Sequence, residues 1–165
     1  MLDIRHILVP IDLRVHTPAL ADVALAMANR LGAERTTFLH VLPHLPDLSD
    51  YLPDTLARLD EGFRAHAEEK MTAFLDSVRD RAAHIDGVVV DGETAEAILA
   101  RARADKVDLI VIATHGTKGI EKVLLGSVAD RVIKGAPCPT LVFNPFGDTR
   151  GYEVCKPLSS CIETV

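Results

Sequence analysis

Leu109-Ile110-Val111-Ile112-Ala113-Thr114-His115-Gly116, followed nine residues later by Gly126-Ser127-Val128, is the stretch that decides how this chain is read. Four apolar residues in an unbroken run predict a strand buried on both faces. A turn of small residues follows, and then a helical pattern. Small residues let a backbone come close to a ligand. The unpaired N–H groups of a helix's first turn point at phosphate oxygens. A strand that ends this way is a place to hold an anion, which makes a nucleotide the first ligand class to consider.

Working outward, the same alternation runs along the chain. Ile7–Ile11, Thr36–Leu42, Val88–Val90 between Gly87 and Gly92, Val107–Ala113 and Thr140–Phe143 read as strands rich in branched residues. Helical periods fill the gaps. Leu20, Ala24, Met27, Ala28 and Leu31 mark one helix, with Thr17 as its expected N-cap, Pro18 in its first turn and Gly32 just past its end. Phe63, Ala67, Met71, Phe74, Val78 and Ala82 mark a longer one. A third carries Ala95, Ile98, Leu99 and Ala102 inward behind Thr94 as cap. Ser127 is expected to cap the last, with Asp130 as capping-box partner. Strand and helix in strict alternation predict an α/β fold, a parallel sheet with helices on both faces. Pro43 to Pro53 is the one long irregular stretch inside the domain, and loops of that length are often functional. The domain is expected over residues 1–144. The tail, 145–165, has turn residues and no clear period.

Composition narrows the function. The 165 residues are 48% hydrophobic and 25% charged, which fits one domain with a full core. The net charge is −6 and only 4% of residues are aromatic, so neither the basic stripe nor the aromatic platforms of a nucleic-acid binder are present. An acidic chain also disfavours anionic lipid. No run approaches the roughly 18 apolar residues of a membrane span, and Met1–Arg5 does not open a signal peptide. A cytoplasmic location is expected, and in that reducing compartment Cys155 and Cys161 are expected to be free thiols rather than a redox pair. Cys138, between Pro137 and Pro139, reads as a buried small apolar group. The seven histidines lack carboxylate or cysteine companions at zinc spacing. No nucleophile elbow or Ser/His/Asp order is visible, so any nucleotide hydrolysis is expected to be slow.

Taken together and in order, four blocks resemble the universal stress protein family over roughly residues 4–144. They are Ile7-Leu8-Val9-Pro10-Ile11-Asp12, Leu39-His40-Val41, Asp108 through Gly126-Ser127-Val128-Ala129, and Ala136-Pro137-Cys138-Pro139-Thr140-Leu141-Val142. The resemblance implies a Rossmann-like three-layer sandwich with a five-stranded parallel sheet in the order 3-2-1-4-5, commonly dimeric, and in many members an ATP site. The family's ATP signature is Gly, two residues, Gly, nine residues, Gly, then Ser or Thr. This chain matches it at Gly116, Gly126 and Ser127 but carries Ala113 at the first position. A strand's φ/ψ tolerates alanine, so Ala113 is expected to weaken contact and not to block the pocket.

By the same resemblance Pro10 and Val41 line an adenine pocket, and Ile11, Ala113, His115, Gly116, Gly126, Ser127 and Val128 belong to the rest of the nucleotide site. Asp12 would face Ala113–Gly116, contacting a ribose hydroxyl or a magnesium ion carried by ATP, ADP or AMP. Each residue has a plainer alternative: Asp12 as a loop-structuring turn residue, Val41 as core, Gly126-Ser127 as an ordinary cap, Lys118 and Lys122 as solvated lysines. The functional expectation is a cytosolic, ATP-binding, stress-response regulatory module, a nucleotide-dependent homodimeric switch with an unknown protein partner. The rivals are an interaction protein of the same family that binds no nucleotide and a slow nucleotide hydrolase. Thr140–Phe143, uncharged and placed by the family's strand order at a sheet edge, is the expected pairing surface of the dimer. Pro139 and Pro145 limit its length.

Overall fold

The computed structural model describes residues 3–43, 53–114 and 125–145, with the backbone alone for 53–58. Within them lie β1 (His6–Pro10), α1 (Thr17–Leu31), β2 (Arg35–Leu42), α2 (Pro53–Val78), β3 (Ile85–Asp91), α3 (Thr94–Ala104), β4 (Leu109–Ala113), α4 (Ser127–Gly135) and β5 (Thr140–Phe143). Every strand pair is parallel, and the order is β3-β2-β1-β4-β5. Chain direction across the sheet reverses between β1 and β4. That is the topological switch point where doubly wound sheets bind ligands. Cys155 and Cys161 of the tail, and residues 44–52 of the Pro43–Pro53 stretch, lie outside the described residues.

Alternate residues of each strand feed two cores. Ile7, Val9, Phe38 and Val111 pack with Leu20, Ala24, Leu25 and Met71 of α1 and α2. Leu8, Leu39, Ile110 and Ile112 pack with Ile98 of α3 and Val132 of α4. Covering both faces is why the strands read as continuous apolar runs. The Phe38 ring is fully buried and meets Phe74 edge to face at 4.8 Å. At Gly87 the helix comes so close that an added Cβ would stand 2.6 Å from the Met71 sulfur, so α2 lies directly on the β3 backbone there.

Three caps fall one residue earlier than expected. The N-caps of α1, α3 and α4 are His16, Glu93 and Gly126, not Thr17, Thr94 and Ser127. Thr17 begins the helix and gives its hydroxyl to Asp12 instead. Glu93 accepts from the Glu96 N–H, doing the capping assigned to Thr94. No side chain caps α4, and Asp130 pairs with Lys134 at 2.8 Å in place of a capping box. Gly32 does end α1, at φ 69°, where glycine avoids the left-handed penalty. Phe63 is 52% exposed, contrary to its place in the apolar period. The 26 residues of α2 span about 39 Å, while the seven of β3 cover only about 23 Å. The first turns of α2 therefore have no strand beneath them, and Leu59 and Phe63 remain half in solvent. β3 itself runs four residues beyond the expected Val88–Val90, because its pairing with β2 continues from Ile85 to Asp91.

The start of β1 is tied to the start of β4 by one carboxylate. Asp108 Oδ2 accepts from the Arg5 N–H at 3.0 Å and the His6 N–H at 2.9 Å. The His6 ring is buried beside it, with Nε2 2.8 Å from the Thr37 hydroxyl. Replacing Thr37 with the near-isosteric valine leaves that ring nitrogen unpaired inside the protein. Thr37→Val is expected to lower the unfolding free energy by about 1–3 kcal/mol, read from urea titrations. An unchanged midpoint and slope would show that the ring finds another partner.

Candidate functional site

A cavity of about 610 Å³ opens at the carboxyl ends of β1, β2 and β4, over the switch point. Its floor is apolar: Leu39, Val41, Ile98 and Ile112 come from strands and α3. Its rim is polar and backbone-rich, because the connections leaving parallel strands all emerge on this edge, and the helices that follow them begin there. Residues of the first turns of α1, α3 and α4 (Thr17, Thr94 and Ser127) line it together.

Pro10, Ile11, Asp12, Val41, Ala113, Gly126, Ser127 and Val128, all expected from sequence, are brought to this one cavity. His115 and Gly116, with Lys118 and Lys122, lie outside the described residues. Asp12 structures its loop: Oδ1 accepts from the Arg14 N–H at 3.0 Å and from the Thr17 hydroxyl at 3.1 Å. These bonds hold Leu13 at φ 56°, a left-handed conformation that costs a non-glycine residue about 1–3 kcal/mol. Ala113 pairs with Phe143 in regular parallel register and has no positive φ, so its methyl group brings no backbone strain. Val41 serves both readings, being core and cavity wall at once.

At the junction of β4 and α4 the Gly126 N–H is committed within the protein, donating to the Thr114 carbonyl at 2.8 Å. The bond folds the helix start back onto the strand end. The donors that α4 presents to the cavity are those of its first turn, at Ser127, Val128 and Ala129. Their N–H groups have no intrahelical acceptor by construction, and no side chain caps them. The helix dipole adds a partial positive charge at the same spot.

Sequence reasoning missed Arg14, His16, His40, Thr94 and Ala129 in the wall. The signal was available for some of them, since each stands within a few residues of a strand's carboxyl end or a helix's first turn. The Nδ1 atom of His40 lies 2.9 Å from the Ile11 carbonyl. A carbonyl only accepts, so Nδ1 carries the proton and the ring locks the exit of β1 to β2. Among the described residues no three His, Cys, Asp or Glu side chains gather as a metal site. A magnesium ion here would be held as magnesium usually is, by phosphate oxygens and at most one or two carboxylates, and Asp12 is the carboxylate in the wall. Cys138 is half-buried rather than fully buried. Loss of water around it, and then the nearby Asp108 charge, push its thiol up from the usual range. That keeps it protonated and unreactive.

A parallel five-stranded sheet in this order, with helices on both faces and a cavity of about 610 Å³ at its switch point, defines the class of doubly wound α/β domains. The family model described as the universal stress protein family matches residues 3–144. The chain belongs to that family. It is 33% identical over 144 residues to a universal stress protein of Thermus aquaticus, covering 84% of this chain and 97% of the relative. The universal stress protein UspA from Lactobacillus plantarum superposes with a TM-score of 0.76 at 28% identity, over 84% of this chain and 97% of that one. A universal stress protein from Archaeoglobus fulgidus, solved in complex with dAMP, shares the fold with a TM-score of 0.59 at 20% identity, over 86% of this chain and 98% of that one. Among the described residues no helix is long and apolar enough to cross a membrane.

Proposed function

We propose that the chain is a cytoplasmic, adenine-nucleotide-binding regulatory protein of the stress response, acting as a homodimeric module whose state depends on the nucleotide. The observation that carries this is the convergence on one cavity of two separate elements. One is the uncapped first turn of α4, a phosphate cradle of N–H donors. The other is the apolar wall of Pro10, Ile11 and Val41, which suits a flat purine. A family member of the same fold holding dAMP supports the reading. The nucleotide would lie with its base toward Val41 and its phosphates over Gly116, Gly126, Ser127 and Val128, with Asp12 near the ribose. Calorimetric titration of ATP, ADP and AMP, together with mass spectrometry of any nucleotide released by denaturing freshly purified protein, tests it. No heat and no released nucleotide would leave the interaction-protein reading standing.

Magnesium belongs to the same reading. Triphosphate charge would meet a chain of net charge −6, so a bound divalent ion is needed to lower the repulsion. ATP affinity in EDTA is expected to fall roughly tenfold relative to excess magnesium. Equal affinities would remove the metal from the site.

The dimer is proposed through the outer edge of β5, which pairs with no further strand among the described residues. Thr140–Phe143 carries no charge, and Val142 is 40% exposed. A short uncharged edge favours one two-fold contact. Val142→Glu is expected to convert the dimer to monomer at micromolar concentration, read by light scattering, while nucleotide affinity stays within about twofold. A native chain that scatters as a monomer would dismiss the interface.

A further inference from the structure

We infer that Thr17 is a positioning residue of this cavity: its hydroxyl holds Asp12 and the turn between β1 and α1 in their binding geometry before any ligand arrives. This rests on the nucleotide reading above and adds to it the group that prepares one wall. A threonine at the start of a helix ordinarily spends its hydroxyl on the unpaired N–H groups of the first turn. Here the cap position is His16, no side chain caps the helix, and the Thr17 hydroxyl turns upstream instead. It donates to Asp12 Oδ1 at 3.1 Å and accepts from the Arg14 N–H at 3.1 Å, while that N–H also reaches Asp12 Oδ1 at 3.0 Å. The three groups close a small ring of hydrogen bonds. The Thr17 N–H adds a backbone bond to the Arg14 carbonyl at 3.0 Å. Thr17 is 4% exposed, which keeps water from competing for its hydroxyl.

The ring holds a shape that the turn does not favour by itself. Leu13, between Asp12 and Arg14, sits at φ 56°, in the left-handed region that leucine rarely adopts. Both turn bonds of the carboxylate fall on Oδ1, so Oδ2 takes no part in the turn. Fixing one oxygen at two donors fixes the carboxylate plane, and with it the second oxygen. Ile11, Asp12 and Thr17 all belong to the cavity wall. A wall made rigid in advance spares a ligand the cost of ordering it on binding. Without the hydroxyl, Asp12 Oδ1 keeps a single donor and Leu13 loses part of what holds it. The ligand then has to order the turn itself. The effect of the hydroxyl therefore appears in affinity, and it appears through Asp12.

Two measurements test the inference. One is calorimetry with ATP on the wild-type protein, Thr17→Val, Thr17→Ser, Asp12→Ala and the double variant of Thr17→Val with Asp12→Ala. The other is hydrogen exchange of the Arg14 amide, followed by NMR in the ligand-free wild-type protein. Thr17→Val, near-isosteric but without the hydroxyl, is expected to weaken ATP binding about tenfold, and Thr17→Ser, which keeps the hydroxyl, less than about twofold. In the Asp12→Ala background, Thr17→Val is expected to cost less than about twofold more, because the group it positions is gone. The Arg14 amide is expected to exchange slowly in the ligand-free wild-type protein and faster in Thr17→Val. A Thr17→Val protein with a lower melting temperature and unchanged affinity would overturn the inference and leave Thr17 a residue of the fold. Full additivity of the two substitutions would overturn it as well. So would an Arg14 amide that exchanges freely until ATP is added, because the ligand would then order the turn. That last measurement decides the matter should Thr17→Val not fold or Asp12→Ala bind too weakly to compare. In each of these cases ATP still binds the wild-type protein and the nucleotide site stands. Wild-type protein that binds no ATP removes the parent reading and this one with it.

Discussion

Gly126→Val is expected to reduce nucleotide affinity by about 100-fold or more while leaving the protein folded. Gly126 sits at φ −62°, ψ 150°, a conformation that valine adopts without strain, and its N–H bond to the Thr114 carbonyl survives the change. What the substitution adds is a branched side chain immediately before the uncapped donors of α4, in the wall of the cavity. A phosphate must come within about 3 Å of those N–H groups to bind, and bulk at this position holds it off. Calorimetric titration beside a thermal melt separates the two effects. An unchanged melt with unchanged affinity would move the phosphate elsewhere. A collapsed melt would mean that Gly126 serves the fold, and Ser127→Pro, which removes an N–H at a helix position that tolerates proline, would then carry the test.

Phe38→Ala should have the largest effect on stability, about 3–5 kcal/mol. The Phe38 ring is wholly buried in the middle of β2, under α1 and α2, and its edge-to-face contact with Phe74 goes with it. The hole it leaves is bounded by strands on a sheet packed on both faces, which cannot collapse to fill it. Chemical denaturation monitored by circular dichroism gives the number. A loss below about 1 kcal/mol would mean that the two helices settle onto the sheet, contrary to dense packing.

Much of this was readable in the chain because burial on both faces leaves an unmistakable trace. Leu109–Ile112 and Ile7–Val9 are apolar at every position, and each residue does go to one core or the other. The strand order did not come from periodicity. It came from resemblance to a family, since nothing local in a strand names its neighbours. Three N-caps were misplaced by one residue, two of them for a reason the side chains show. Thr17 had a better partner in Asp12, five residues earlier in the chain and already at the strand exit. Glu93 out-reached Thr94 because its longer side chain can turn back to the Glu96 N–H. The site was legible at its strand ends, Pro10–Asp12 and Ala113, and at Gly126–Val128. Arg14 and His40 were not, because their place in the wall depends on how two loops lie against each other. Phe63 failed because period reports one face of a helix, not whether a sheet extends far enough to cover it.

The two junctions of β1 are unequal. It is paired with β2 over five residue positions and with β4 over two, the latter clasped at its lower end by Asp108. The walls of the cavity divide along the same line: Pro10, Asp12 and Val41 are made early in synthesis, and Ser127, Val128 and Ala129 late. No nascent chain shorter than about 129 residues possesses both. A ligand that touches both walls would therefore need a chain extended at least through the first turn of α4, and by bridging the β1–β4 seam it would favour the state in which the two halves are joined.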